Sequence, residues 1–374
     1  MIHNAFGLIY AGGNSQLMKD LTFSRSVAAL PVGSRYRCID FILSSMVNCG
    51  INSVGVIAEK NYHSLMDHLG SGKEWDLHRK REGLFVLPPF MTKDSTGMFL
   101  GTVGLLRSSL GYVRRAPKEY CILCTARTIL RPDLPALMEA HVASGADITI
   151  LYHRGAPDTI AEQTQDLRLT MDETGRVREM ELDPYRPHSD CRCLDIMVMK
   201  KDLLRYLVEE AYARGEYDFK RDVLLKRCNT LKIMGYEHKG FSARLDSAEH
   251  YFDANMALLR PEVRKELFDP DNPISTKVKD EMPSRYGAQA SVKNSLIADG
   301  CVIEGQVENS LLFRGVHVDK GVVLKNSIVM QGVTLGENAA LDHVILDKGV
   351  NISSGRTLIG YDNFPIIIRK NMTI

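Results

Sequence analysis

Two adjacent glycines, Gly12 and Gly13, follow a short apolar run near the start of the chain. A glycine turn after a strand brings backbone N–H groups close to a phosphate, because no Cβ keeps the ligand away. The same pair also makes an ordinary tight turn, and so short a motif does not decide between the two. A phosphate-binding loop and a plain turn therefore both stay open at this position.

Eight cysteines form a second set of residues with possible chemistry. The pairs Cys121/Cys124 and Cys191/Cys193 are closely spaced, but four ligands at zinc-finger spacing are not evident. Most of the cysteines lie in apolar segments, where a free thiol behaves as a small hydrophobic side chain. We expect buried reduced thiols, no metal site and a reducing compartment.

The charge and hydropathy of the chain argue against binding to nucleic acids and against insertion into a membrane. Its 374 residues include 47 Lys and Arg against 46 Asp and Glu, which leaves a formal charge of +1. No positive field is available to hold a polyanion, and no apolar run approaches the ~18 residues of a membrane span. Residues 1–4 lead directly into an apolar segment, unlike a signal peptide. The sequence predicts a cytoplasmic protein that binds neither nucleic acid nor membrane.

Residues 1–260 alternate between strand and helix patterns, which predicts an α/β domain with a mostly parallel sheet. The predicted strands cover 5–10, 53–57, 120–123 and 148–152, with a hairpin at 167–182, and the predicted helices cover 41–47, 64–69, 132–144 and 246–259. In such a sheet the ligand site lies outside the carboxyl ends of the strands. Gly12, Gly13 and the residues after Leu123 are therefore expected near any active site.

The C-terminal part of the chain follows a different pattern. Residues 261–286 hold four prolines among charged residues and are interpreted as a linker. From 287 to 374 a triplet recurs as NSL, NSL, NSI and DHV, at steps of 15, 17 and 16 residues. Branched apolar residues return every five or six positions, which is typical of hexapeptide repeats. Three sides of a coil account for one step, so we expect four or five coils of a β-helix.

Several motifs together resemble a known family. Residues 11–22 (AGGNSQLMKDLT) look like the N-terminal signature of sugar-phosphate nucleotidyltransferases. Residues 25–41 (RSVAALPVGSRYRCIDF), with 48–51 (NCGI) and 251–255 (YFDAN), resemble glucose-1-phosphate adenylyltransferase, the ADP-glucose pyrophosphorylase of glycogen synthesis. The resemblance implies a Rossmann-like, GT-A-like nucleotidyltransferase domain followed by a left-handed parallel β-helix.

The resemblance also implies a reaction, the attack of glucose 1-phosphate on ATP with release of pyrophosphate, and the groups that it requires. Leu17 replaces the arginine that serves the pyrophosphate, and Thr125 and Arg244 replace the two metal-binding carboxylates. Asp183 replaces the sugar-phosphate lysine of a Glu-Lys-Pro motif, and residues 193–195 (CLD) replace a Ser-Met-Gly segment that cradles glucose. The loss of one such electrostatic partner costs about 10²–10³ in rate, so we predict no catalytic residues in this chain.

A fold kept without its catalytic groups suggests a non-catalytic, regulatory subunit of the GlgD type. The resemblance implies a heterotetramer with a catalytic paralogue, in which magnesium belongs to the catalytic partner and no cofactor is expected on this chain. One alternative is an active sugar-phosphate nucleotidyltransferase with a rearranged site, in which Lys19 or Asp246 takes over a vacant role. A second alternative is a hexapeptide-repeat acyltransferase or scaffold, for which His317 and His343 are the only candidates and no second catalytic signal is found.

The resemblance also implies two binding sites, one for a nucleotide and one for an effector. Gly12, Gly13, Gly101 and Thr102 are candidates for a vestigial nucleotide site.

For a phosphorylated sugar effector the resemblance implies Arg25, Arg35 and Arg37, which stand at positions that are basic in the family. Arginine suits this role because it binds phosphate through two parallel hydrogen bonds. Ordinary surface pairing with carboxylates is the other reading of these arginines. Arg356 and Arg369 are weaker candidates from the C-terminal region.

Overall fold

The computed structural model describes residues 2–13, 17–80, 82–88, 101–155 and 165–374. Contacts divide the chain into two compact units that interleave along the sequence. The first unit contains Met1–Asn14, Ile42–Tyr62 and Leu69–Ser242, and the second contains Ser15–Phe41, His63–His68 and Ala243–Ile374. The linear division into 1–260, 261–286 and 287–374 stays a prediction.

The helices and the first thirteen strands have the following bounds. The helices are α1 (Cys38–Asn48), α2 (His63–Leu69), α3 (Gly101–Arg115), α4 (Leu134–Ser144), α5 (Lys201–Ala213), α6 (Ala248–Ala257) and α7 (Pro261–Leu267). Short 3-10 helices lie at Lys19–Thr22, Val27–Ala29 and Lys73–Trp75, and a π-helix at Phe219–Leu225. The strands are β1 (Ala5–Tyr10), β2 (Pro31–Val32), β3 (Tyr36–Arg37), β4 (Ser53–Ile57), β5 (Gly83–Leu87), β6 (Tyr120–Thr125), β7 (Thr128–Leu130), β8 (Ile148–Arg154), β9 (Leu167–Met171), β10 (Val177–Leu182), β11 (Cys191–Lys200), β12 (Ile233–Glu237) and β13 (Ser242–Arg244).

Nine of the described strands form one sheet in the first unit. Its order is β10-β9-β11-β6-β1-β4-β5, and β8 pairs with both β11 and β12. The pairings β1–β4, β1–β6, β4–β5 and β8–β12 are parallel, whereas β11 runs antiparallel to β6, β8 and β9. Seven of these strands therefore share one direction, whereas β10 and β11 oppose it, which confirms the predicted mostly parallel sheet.

Buried apolar runs explain why the strands were recognisable. Phe6, Leu8 and Ile9 of β1 are fully buried, as expected for a central parallel strand that is covered on both faces. The predicted strands at 5–10 and 53–57 have the observed bounds, and the hairpin pairs β9 with β10. Helix α4 ends at Gly145, whose left-handed backbone (φ 58°) forms the expected C-cap.

The C-terminal repeat forms a parallel β-helix, as predicted. Its strands are β14 (Arg285–Tyr286), β15 (Ser291–Lys293), β16 (Leu296–Ile297), β17 (Val302–Ile303), β18 (Gln306–Glu308), β19 (Leu311–Leu312), β20 (His317–Val318), β21 (Val323–Lys325), β22 (Ile328–Val329), β23 (Thr334–Leu335), β24 (Ala340–Asp342), β25 (Val344–Leu346), β26 (Asn351–Ile352), β27 (Thr357–Ile359) and β28 (Ile366–Ile368). They form three sheets of five parallel strands, so five coils stack. One column runs through Val307, Leu324 and Leu341, which are almost fully buried.

The recurring Asn of the repeat lies at one corner of the coil. Asn294, Asn309 and Asn326 adopt left-handed backbone with φ of 41°, 46° and 42°, a conformation that Asn tolerates better than most residues. Their amides form a ladder, with Asn294 donating to Asn309 over 2.8 Å and Asn326 to Asp342 over 2.9 Å. The ladder explains why the fourth triplet keeps a side-chain oxygen but not the amide.

Two details differ from the sequence-based expectations. Ser247, and not Asp246, caps α6, because its hydroxyl accepts the His250 N–H. The segment 261–286, which was interpreted as a linker, contains α7 and also β14, which pairs with β17 of the β-helix. Within the described ranges, the helices are too short or too polar to cross a lipid bilayer.

Candidate functional site

A cleft of about 650 Å³ opens at the carboxyl ends of β1 and β6 in the first unit. It brings together four of the predicted residues: Gly12, Gly13, Thr102 and Thr125. Apolar side chains, including those of Leu105, Leu123 and Met197, line much of its wall. Its position agrees with the rule that ligands bind beyond the carboxyl ends of parallel strands.

Gly12 has a steric role in this cleft. A Cβ at this position would lie 2.1 Å from Oε2 of Glu59 and 2.5 Å from the Tyr10 hydroxyl. The Tyr10 hydroxyl donates a hydrogen bond to Glu59 over 2.6 Å, and burial together with this carboxylate raises the pKa of Tyr10. An added Cβ at Gly13 would meet open space. Close packing therefore explains Gly12, while a phosphate-binding role for Gly13 stays a prediction.

Gly101 and Thr102 begin α3 and are also fixed by local contacts. Gly101 has a φ of 72°, and a Cβ there would lie 2.3 Å from the Tyr217 carbonyl. The Thr102 hydroxyl accepts the Phe219 N–H over 2.8 Å. Both residues thus hold the segment that enters the π-helix against the start of α3.

A buried cluster of charges lies at the wall of the cleft, beside Thr125. The Asp195 carboxylate accepts from Arg127 (Nη2 2.6 Å and Nε 2.9 Å) and from Lys220 (Nζ 2.5 Å). The Asp195 side chain is only 1% exposed. The Thr125 hydroxyl lies 3.5 Å from the same carboxylate. Among the described lining residues Asp218 is the other acidic one, so the charges of these four ionic residues sum to zero, and we call this the neutral cleft.

The predicted metal positions do not offer magnesium a suitable set of donors. Thr125 contributes a hydroxyl, and the carboxylate beside it is already held by two cations. Magnesium prefers carboxylate oxygens with open coordination positions. Across the described residues, no group of three or more His, Cys, Asp or Glu side chains is arranged to hold a metal ion.

The other replaced positions have structural roles of their own. Asp183 has a left-handed backbone (φ 51°), and its carboxylate accepts the Asp166 N–H over 2.7 Å. In the second unit, Arg244 is buried and its Nε lies 2.9 Å from the Asp246 carboxylate. The Leu17 carbonyl accepts the Ala248 N–H over 3.2 Å. Residues 14–16 and the Lys19 side chain lie outside the described residues.

A second cleft, of about 520 Å³, lies within the second unit. Six cationic side chains line it, namely Arg35, Arg37, Lys277, Lys279, Arg314 and Lys348. Among the described lining residues Asp67 is the one carboxylate, and it accepts from Lys277 over 3.1 Å. We call this the cationic cleft. Burial, and then the Arg35 charge, lower the pKa of Arg314, as expected for a buried cation beside a like charge.

Two of these cations are strongly affected by their surroundings. Burial, and then the Arg37 and Arg25 charges, lower the pKa of Lys348 to about 7. Burial, and then Arg25, lower the pKa of Arg37 to about 10. An anion in the cleft would relieve this repulsion, because it favours the charged form of each group.

The segment that carries Arg35 and Arg37 is a short hairpin formed by β2 and β3. Helix α6 supports it, because Tyr251 donates to the Pro31 carbonyl over 2.7 Å and Asn255 accepts the Gly33 N–H over 3.0 Å. The YFDAN motif therefore holds the hairpin in place.

Arg25 lies beside the cationic cleft and is already paired. Its Nη2 donates to both oxygens of Asp347 over 2.6 Å, and both side chains are 3% exposed. Its predicted effector role stays a prediction.

Of the weaker candidates, Arg369 pairs with Asp20 over 2.6 Å and does not line the cationic cleft. His343 contacts Asp342 and Asp362 over 2.7 and 2.5 Å. Sequence reasoning missed Lys277, Lys279, Arg314 and Lys348, which come from three segments with no shared motif.

Comparison with known proteins identifies the class. Residues 6–257 match the nucleotidyl transferase family model, and residues 278–364 match the model for a GlmU-like C-terminal hexapeptide region. The chain belongs to the nucleotidyl transferase family.

Individual relatives show which members of the family the chain resembles. The chain is 37% identical to the glycogen biosynthesis protein GlgD of Bacillus subtilis (strain 168), over 82% of this chain and 79% of that protein. It is 38% identical to GlgD of Geobacillus stearothermophilus, over 87% and 84%. It is 30% identical to glucose-1-phosphate adenylyltransferase of Clostridium perfringens (strain SM101 / Type A), over 85% and 82%. These similarities confirm the resemblance to the glucose-1-phosphate adenylyltransferase family and to its GlgD type.

Proposed function

We propose that this chain is a regulatory, non-catalytic subunit of ADP-glucose pyrophosphorylase in bacterial glycogen synthesis. The names of its GlgD and adenylyltransferase relatives support the pathway. The observation that carries the proposal is the neutral cleft, where Asp195 is bound to Arg127 and Lys220 instead of being available to a metal ion.

Nucleotidyl transfer needs charge that develops in the transition state to be neutralised by preorganised partners. When bound in an active relative, magnesium would supply that charge between the reacting phosphates. In this chain the hydroxyl of Thr125 and the guanidinium of Arg244 occupy the positions expected for its ligands. Neither group can replace a carboxylate, so turnover by this chain alone is expected to be lost.

The cationic cleft supports the regulatory part of the proposal. Six cations around one carboxylate leave a large excess of positive charge, which suits a phosphorylated sugar effector. Arg35 and Arg37 are the family positions that contribute to it. The chain would then respond to the effector while a catalytic paralogue performs the reaction in a heterotetramer.

The experiment is a pyrophosphate-release assay with ATP, glucose 1-phosphate and magnesium. The purified chain alone should give no turnover, and mixing it with the catalytic paralogue should change the response of that enzyme to phosphorylated sugars. An Arg35→Gln variant should still co-elute with the paralogue but lose most of this change. An Arg178→Gln variant is the matched control, because Arg178 is exposed and pairs with Asp172 near a hairpin turn, away from the cationic cleft. Vigorous ADP-glucose synthesis by the chain alone would contradict the proposal.

The second candidate is an active nucleotidyltransferase with a rearranged site. It is favoured by the retained cleft of about 650 Å³ with Gly12, Gly13 and Thr102 on its wall. The same assay decides between the two, because only this candidate gives turnover without a partner.

A further inference from the structure

In the neutral cleft, Arg127 and Lys220 hold the Asp195 carboxylate as they would hold a bound anion. One oxygen of Asp195 accepts two hydrogen bonds from Arg127 and the other contacts Lys220, all within 2.5–2.9 Å. Proteins bind phosphate and carboxylate ligands with the same combination of a planar guanidinium and an ammonium. Here the anion is part of the chain.

An irregularity in β11 aims Asp195 at these cations. The register of β11 against β8 shifts between Cys193 and Ile196, so Leu194 and Asp195 are extra residues in the ladder. Asp195 has a left-handed backbone with φ of 59°, and its N–H donates to the Cys193 Sγ over 3.3 Å. Bulges of this kind redirect a side chain and occur next to functional sites. The carboxylate is therefore held by the backbone as well as by its partners.

The cations are positioned from elements that do not belong to β11. Arg127 follows the end of β6, and Lys220 lies in the π-helix, where its ammonium also donates to the Gln165 carbonyl over 2.9 Å. Their side chains are 5% and 12% exposed, so water screens the cluster weakly. An anion that approached from the cleft would meet a fixed negative charge where its own partners should be.

We propose that Asp195 is a built-in occupant of an anion site in the neutral cleft. It keeps phosphate groups away from Arg127 and Lys220, and its removal converts the cleft into an oxyanion site. This inference goes beyond the proposed function, which requires only that turnover is lost, and its failure would leave the regulatory proposal intact.

The test compares thermal unfolding with and without inorganic phosphate in the wild type and in Asp195→Asn. The substitution keeps the side-chain shape but leaves two buried cations without their carboxylate, so phosphate should stabilise the variant by binding the folded state. We expect phosphate to bind Asp195→Asn about tenfold more tightly than the wild type, as new charge-assisted hydrogen bonds allow. The cationic cleft is the same in both proteins, so its contribution cancels.

Asp166→Asn is the matched control. Asp166 is equally buried and is held by Arg168 and Arg192 over 2.8 and 2.7 Å, but it does not line the neutral cleft. Its variant should lose stability without any added response to phosphate. An equal response in both variants would mean that phosphate acts on any uncovered arginine, and would overturn the proposal.

A double variant protects the test against misfolding. Arg127→Gln with Asp195→Asn removes one charge of each sign and leaves Lys220 to bind phosphate, so a smaller but measurable gain over the wild type is expected. If neither this protein nor Asp195→Asn binds phosphate better than the wild type, Asp195 is not the occupant of an anion site.

Discussion

Both clefts contain arginine and lysine side chains, but only in the neutral cleft does the chain supply matching carboxylates. In the neutral cleft, Arg127 and Lys220 are satisfied by a carboxylate of the chain itself. In the cationic cleft, six cations gather around one carboxylate, and burial and mutual repulsion lower the pKa of Lys348 to about 7. The comparison teaches that a count of basic residues does not identify an anion site. What matters is whether the protein already supplies the counter-charge.

The largest expected effect is a gain of activity when the missing catalytic groups are restored. The variant Leu17→Arg, Thr125→Asp, Arg244→Asp returns three of the charges that the family resemblance requires, those of the pyrophosphate arginine and the two metal-binding carboxylates, so measurable pyrophosphate release is expected. Adding Asp195→Gly, which restores the glycine of the Ser-Met-Gly segment, should raise the rate further, because it removes a fixed negative charge from the wall of the neutral cleft and frees Arg127 and Lys220 to face phosphate.

The control for this gain is Asp195→Gly alone, which should remain inactive. No turnover in any of these proteins would mean that the chain lacks more than the groups restored in them.

Breaking the Arg25–Asp347 pair should have the largest effect on stability. Asp347→Ala leaves a buried guanidinium without its carboxylate, which typically costs about 3–5 kcal/mol. Urea unfolding would measure the loss. Asp20→Ala is the control, because its partner Arg369 is 56% exposed and such pairs contribute less than ~1 kcal/mol. Equal losses in the two variants would show that burial does not set the strength of the pair.

Removing one cation tests whether the cationic cleft binds anions. Arg35→Gln should weaken sulfate binding by roughly tenfold, because one charge-assisted partner is lost. Isothermal titration would measure the affinity. Arg127→Gln in the neutral cleft should leave sulfate affinity unchanged, since Asp195 blocks that site, and a comparable loss there would contradict the distinction between the clefts.

The smallest expected effect is a pH dependence from Lys348. Its pKa of about 7 is below the ordinary 10.5, so above pH 7 the free cleft holds a mostly neutral amine. A bound anion favours the protonated form, so sulfate affinity should fall by several-fold from pH 7 to pH 9. Stability should rise over the same range, because the unfolded chain binds more protons there.

Lys348→Arg is the comparison for this effect. Arginine stays charged over this range, so the variant should bind sulfate with little change between pH 7 and pH 9. A slope equal to that of the wild type would assign the titration to another group.

Regular elements were predictable because their signals are local. The run at 53–57 and the triplet of the β-helix carry their own periodicity, and both were placed correctly. The bulge at Asp195 was not predictable, since it depends on the pairing of β11 with a distant strand.

The candidate site was predictable only in part. Gly12 and Thr125 were predicted to lie together because strand ends converge at one edge of a sheet, whereas Thr102 was added by the family resemblance. Lys277 and Lys348, in contrast, come from segments about seventy residues apart with no motif in common, and only the folded chain brings them together. Arg127 and Lys220, the partners of Asp195, were not predicted for the same reason, because they share no sequence motif.

The Arg25–Asp347 pair has a consequence for synthesis on the ribosome. The two residues are 322 positions apart, and both belong to the second unit. At an elongation rate of about 5–20 residues per second, Arg25 is translated roughly 16–64 seconds before its partner. Until then residues 15–41 lack the coils on which they finally pack, so the second unit reaches its native form only after Asp347 has been translated.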